Sequence, residues 1–163
     1  MKRIFEFAVV LGLLVVMVSS VTVVGASDSQ AVNGTWQIAS VIPISAQPVD
    51  GGNCIIEAVA ISNLQGDLVG TFTDLLRIVR RGQCDQLGSE TFLGHGTFEG
   101  SAADASVAFD FTAVGTADPQ GNLQGQFVIQ GGSGELANLH GVITLTGSLV
   151  TGGGTYSGNV HFD

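Results

Sequence analysis

The sequence predicts an all-β chain, an eight-stranded antiparallel up-and-down β-barrel. Three observations carry that expectation. Beyond an apolar leader, no segment shows the apolar period of an amphipathic helix; short runs rich in Val, Ile, Phe and Thr recur instead; and Gly, Asn, Asp or Pro stand between them. Sequential strands with short links favour an up-and-down order, and closing the sheet removes its exposed edges.

The leader comes first. Lys2 and Arg3 precede the apolar run Phe7 to Val18 (FAVVLGLLVVMV), the polar pair Ser19-Ser20 follows, and Val24-Gly25-Ala26 supplies small residues before Ser27. This is the order of a secretory signal, residues 1–26, cut after Ala26. An uncleaved anchor is the alternative, because apolar character resumes over Val21 to Val24; Ser19, Ser20 and Thr22 interrupt the roughly 20 apolar residues that a spanning helix needs. With cleavage, residues 27–163 are expected to form one β-barrel domain of 137 residues, secreted or periplasmic, with no membrane association. Loss of Lys2, Arg3 and Glu6 leaves three basic and thirteen acidic side chains, a formal charge of −10. Such a surface repels phosphate backbones and argues against nucleic acid as a partner.

The candidate strands lie near residues 34–42 (GTWQIASVI), 54–62 (CIIEAVAIS), 68–79 (LVGTFTDLLRIV), 90–98 (ETFLGHGTF), 106–116 (SVAFDFTAVGT), 122–130 (NLQGQFVIQ), 141–147 (GVITLTG) and 154–162 (GTYSGNVHF). The first pairs an apolar core candidate, Trp36, with Ile38. In the sixth, Leu123, Gly125, Phe127 and Ile129 share a face opposite Gln124, Gln126 and Gln130; in the eighth, Tyr156, Gly158, Val160 and Phe162 oppose Ser157, Asn159 and His161. The links Arg81-Gly82-Gln83, Asp118-Pro119-Gln120-Gly121 and Thr151-Gly152-Gly153 carry turn chemistry. Glycine also stands on the apolar faces: Gly70 beside Phe72, Gly94 and Gly96 between Phe92 and Phe98, and Gly125 between Leu123 and Phe127. Such glycines serve either the bends of a small barrel or an interior with room for one small molecule.

The segment Gly131 to Gly141, GGSGELANLHG, holds four glycines and places Leu136 and Leu139 three residues apart, as one helical turn would. It is expected to fold as an apolar plug at one barrel end. The same segment is similar to the GGTG-x-F-x-x-A-x-G stretch of plant dirigent proteins and allene oxide cyclases. It resembles more closely an uncharacterised bacterial family of allene oxide cyclase-like barrels, in which a G-x-L-x-G-x-F strand (here Gly121 to Phe127) precedes a GTGEL-type turn (here Gly131 to Leu136). The resemblance spans about residues 92–162 and implies an eight-stranded barrel with a central cavity, trimeric in many of the plant relatives. A rival resemblance lies in Asn33 to Ser40, NGTWQIAS, whose G-x-W is also how lipocalins and avidins begin; Asn33-Gly34-Thr35 is in addition a glycosylation sequon.

Residue content excludes several chemistries. No lysine follows Lys2, which removes a phosphate-loop lysine, a Schiff base and a serine-lysine dyad, and there is no G-x-S-x-G, H-E-x-x-H or C-x-x-C. No cofactor is expected. His95, His140 and His161 lack metal-ligand spacing, so no metal site is expected either. Cys54 and Cys84 are the only cysteines; in an exported protein such a pair reads as a disulfide, the alternative being two buried thiols.

Candidate site residues follow from strand parity. Asp74 shares parity with Phe72, Leu76 and Ile78, and Glu57 with Ile55, Val59 and Ile61, so each acid is a candidate catalytic carboxyl inside the barrel; a bulge or a pairing with Arg77 would instead make it structural. Asp110 reads as solvent-exposed. Arg77, Arg80 and Arg81 gather at the end of the third strand, where Arg77 and Arg80 are candidates for holding an anionic ligand at the barrel mouth, or else solvated partners of acids such as Asp85. Trp36 and Tyr156 read as core aromatics where first strand meets last, with Trp36 also a candidate for stacking on a ligand. Two functions fit: a non-enzymatic module binding a small apolar molecule, or a cofactor-free cyclase or isomerase using Glu57 or Asp74. A stable surface protein that acts through its outer face is a third.

Overall fold

The computed structural model describes residues 29–103 and 105–162, so the expected signal segment lies outside the described residues. Eight strands follow in chain order: β1 (Gln30–Val49), β2 (Asn53–Gly66), β3 (Leu68–Arg81), β4 (Ser89–Ala102), β5 (Ala105–Ala117), β6 (Asn122–Gly132), β7 (Leu139–Ser148) and β8 (Gly153–Phe162). Each pairs antiparallel with its neighbours, and β8 returns to β1, closing a barrel with the order β1 to β8. All eight expected strands are present. All are longer than expected, because their ends, rich in Gly, Ala, Asn and Gln, are held in the ladder by pairing with the neighbouring strand rather than by their own propensity.

Closure runs from Gln30 opposite Val160 to Gln37 opposite Gly153 and includes Gly34 opposite Tyr156 and Trp36 opposite Gly154. The aromatics expected at the seam therefore stand there, 4% and 2% exposed. The Tyr156 hydroxyl crosses the interior to the start of β3, accepting from Leu68 N at 2.8 Å and donating to Leu68 O at 3.2 Å. β1 is longer than its partner, so beyond Ile38, which donates to Gly152 O at 2.7 Å, it pairs with β2 alone. This free edge exposes Val41, Ile42 and Ile44 but is interrupted by Pro43, Pro48 and register shifts at Ile38/Ser40 and Pro43/Ser45.

The two barrel ends differ. The end bearing the chain termini is packed solid: Phe98 stacks on Phe109 with ring centroids 4.8 Å apart, Phe111 on Phe127 at 4.5 Å, and Phe72 meets Phe127 edge-on at 4.9 Å. The glycine-rich segment closes this end. Gly131 (φ 131°) and Gly134 (φ 62°) take backbone conformations that side chains oppose, and a single 3-10 turn, Gly134–Leu136, lays Leu136 against the core. The expected plug is thus confirmed in place.

The opposite end carries the hairpin turns at residues 50–52, 82–88, 118–121 and 149–152. Asp118 organises one of them by accepting from Gln120 N, Asn122 N and Asn122 Nδ2 at 2.9, 2.9 and 2.7 Å, and the Asn122 side chain above all holds its carboxyl below the usual range. The longest, 82–88, is tied down by the Cys54–Cys84 disulfide.

Two outcomes test these constraints. Cys54→Ser with Cys84→Ser removes the link across 30 residues and is expected to lower unfolding free energy by about 3 kcal/mol in urea titration. Tyr156→Phe strips both partners from the Leu68 peptide and should cost about 1–3 kcal/mol in the same measurement.

Candidate functional site

The hollow end follows from which side chains each strand turns inward. The inner face of β2 reads Ala58, Ala60 and Ser62, three small residues, beside Asp74 and Leu76 of β3. Across the ring, β6 contributes Gly125 between Leu123 and Phe127. Small residues on these walls leave a cavity of about 300 Å³, open toward the 82–88 and 149–152 turns and floored by Phe72 and Phe127. Trp36, Ile38 and Val41 of β1 line one side; the register shift at Ile38/Ser40 inserts one residue and so keeps both Ile38 and Val41 facing in. Leu87 and Leu149 border the mouth.

The inward glycines serve mainly the barrel's own side chains. A Cβ on Gly70 or Gly100 would stand 2.9 or 2.8 Å from the Phe98 ring, and one on Gly96 would stand 2.9 Å from the Cβ of Asp74. Gly96 lies directly opposite Asp74, so the Cα and Cβ of Asp74 occupy the space that a side chain there would take.

Asp74 is the exceptional group of the cavity. It is 3% exposed, and its Oδ1 is the buried side-chain polar atom that has no hydrogen-bond partner among the described residues. Burial in apolar surroundings pushes its carboxyl from 3.8 up to about 7, against a smaller opposing contribution from its own backbone amide. At neutral pH the proton is therefore shared between bound and free states, the condition that suits acid-base exchange.

At the mouth, Arg80 forms a fork onto Glu90: Nε and Nη2 both lie 2.7 Å from Oε1, and Nη1 donates to the Cys84 carbonyl. The disulfide thus fixes the carbonyl that orients Arg80. Trp36 lines the cavity with its ring while its Nε1 donates to Thr146 O at 3.2 Å.

Of the sequence candidates, Asp74, Arg80 and Trp36 come together here. Glu57 does not. It is exposed on the outer wall, where Ser45 Oγ donates to it at 3.4 Å and Arg77, likewise exposed, stands opposite in register. Both faces of β2 carry apolar residues, so composition alone could not show which was interior; the small side chains face in, and Ile55, Val59 and Ile61 face out. Arg77 and Arg81 point outward too, which splits the expected positive spot. Asp110 is exposed, as expected. Sequence reading missed Glu90, the buried partner of Arg80, and Ser62; Glu90 has the parity of Phe92, which was the available signal. His140 and His161, distant in sequence, are cross-strand neighbours with ring centroids 6.1 Å apart, and no cluster of three or more metal-ligating residues exists among the described residues.

Fold and site together define a closed antiparallel barrel, solid at one end and hollow at the other. The fold is similar to the crystal structure of a protein of unknown function from the DUF3224 family of Shewanella oneidensis MR-1, with a TM-score of 0.64 and 19% identity over 83% of this chain and 98% of that one. No family model matches the chain, and no curated protein matches it. The likeness is one of fold and lends no support to the expected resemblance to allene oxide cyclase-like barrels in particular.

Asp74 makes stability depend on pH. Unfolding returns its carboxyl to about 3.8, whereas the folded protein keeps the proton up to about 7, so its favourable contribution is full below pH 3.8 and is lost as pH rises to about 7, on the order of 4 kcal/mol in all. Asp74→Asn removes this dependence. Compared by urea denaturation, the variant's stability relative to wild type should rise steadily from pH 4 to 7 and stay constant above.

Proposed function

We propose that this protein is a secreted binding module that holds a small, mostly apolar molecule in the end cavity of an allene oxide cyclase-like barrel. The observation that carries the reading is the asymmetry of the interior, with aromatic packing at one end and, at the other, an apolar cavity of about 300 Å³ containing a single unpartnered carboxyl. Ligand sites are commonly of this kind, apolar walls with few convergent polar groups, and eight strands enclose space for one small molecule. Export is supported by the leader's order of charged, apolar and small residues and by the disulfide, which suits an oxidising compartment. Among the described residues no helix is long and apolar enough to cross a membrane.

A second reading, a cofactor-free isomerase or cyclase, is favoured by one observation, the Asp74 proton held to about 7 on the cavity wall. It assigns Asp74 the acid-base role and leaves none for Glu57, on the outer wall.

Gentle native mass spectrometry of the protein isolated from an exporting host is expected to show extra mass that is released on denaturation, and the same spectrum reads monomer against the trimer that the plant resemblance implies. Ala60→Phe places a ring in the cavity opposite Asp74 and should abolish the adduct while leaving the thermal transition cooperative. A clean mass from the wild type would remove the binding reading. If the released molecule is converted by wild type and equally by Asp74→Asn, the acid-base role falls.

A further inference from the structure

The polar groups that face the cavity are few, and most are engaged. Trp36 Nε1 is bound to Thr146 O. Arg80 uses Nε and Nη2 on Glu90 and Nη1 on the Cys84 carbonyl, so the one basic side chain at the mouth has its charge neutralised by a carboxylate 5% exposed and keeps only the second N–H of each terminal nitrogen uncommitted. The other basic side chains after Arg3, Arg77 and Arg81, point away from the interior. What remains unmatched is Asp74 Oδ1, on the inner wall between the aromatic floor and the mouth, with Ser62 diagonal to it across the β2–β3 pair.

This distribution discriminates between head groups. Once Asp74 is ionised and has no proton to share, a carboxylate entering the cavity would pass Glu90, meet Asp74 and find no unengaged cation, so it would be desolvated without a partner. A hydroxyl or a primary amine does the reverse: it donates to Oδ1 and satisfies the orphaned acceptor, while its hydrocarbon replaces water against Ile38, Leu76, Phe92 and Leu145. The volume corresponds to about ten water-sized groups, enough for a short chain or one or two fused rings.

We infer that the cavity takes an apolar molecule bearing one hydrogen-bond-donating head, a hydroxyl or a primary amine docked on Asp74, and rejects the carboxylic acid of the same skeleton. The inference rests on the binding function proposed above and adds its selectivity. The anionic ligand expected from the arginine cluster is replaced by its opposite.

Trp36 is the only tryptophan in the chain and lines the cavity, so its emission reports occupancy directly. The full chain is titrated above the Asp74 pKa, at about pH 8.5 where its carboxyl is ionised, with octan-1-ol, octan-1-amine, octanoate and octane. The alcohol and the amine are expected to bind at least about tenfold more tightly than octanoate and octane, because a buried hydrogen-bonding group left unpaired is the strongest basis for rejecting an analogue. Asp74→Leu should erase that preference while retaining the hydrocarbon, and Asp74→Asn, which keeps an acceptor, should retain the alcohol; a cooperative melt shows that each variant is folded. Octanoate binding as tightly as the alcohol, or a preference that survives in Asp74→Leu, overturns the inference. Four equal affinities overturn it and leave the binding function standing, whereas no binding of any of the four, octane included, overturns both.

Discussion

Closure of the sheet is the constraint on which the other features depend. Once β8 pairs with β1, eight strands fix the width of the interior, and every inward side chain must either fill that width or leave a void. The seam is held by backbone pairing and by long-range side chains, among them Tyr156, whose hydroxyl spans to the Leu68 peptide on the far side of β2, and Trp36, whose Nε1 reaches past β8 to Thr146 O. Because Tyr156 stands opposite Gly34, the ring lies flat against a position without a side chain, which lets the first strand and the last approach closely.

Given a fixed width, side-chain size decides what each end does. Phe98, Phe109, Phe111 and Phe127 fill the plugged end, with Gly70 and Gly100 accommodating the Phe98 ring. Ala60 and Ser62 of β2 line the other end and are too small to fill it. A carboxyl on β3 beside that thin wall is surrounded by hydrocarbon without being packed by it, which is why Asp74 is both buried and unpartnered. The mouth is held differently, by the disulfide and by the fork of Arg80 on Glu90, so polar order is concentrated at the rim.

Much of this was legible in the sequence. Period-two alternation in β6 and β8 reported their inner faces correctly, and the glycines of GGSGEL announced a sharp departure from β6 that ends in a plug. Asp74 could be placed inside because Phe72 and Leu76 are large and leave no doubt about parity. Glu57 could not, because β2 is apolar on both faces and only the ring's demand for small residues there decides between them. Parity within β3 and β4 also carries Arg80 inward with Asp74 and Glu90 inward with Phe92; what local sequence could not show is that the two stand opposite each other, because that depends on register between strands, which a linear pattern does not contain.

The overhanging half of β1 carries a different lesson. A hairpin arm that extends past its last neighbour offers unsatisfied amides to any other extended chain, and in a crowded compartment the commonest such chain is another molecule of the same protein. Pro43 and Pro48 remove two of those donors, and the two register shifts bend the arm out of the straight line that cross-β stacking needs. Val41 still serves the cavity, while the prolines and shifts disfavour edge-to-edge pairing through an arm that exposes Ile42 and Ile44.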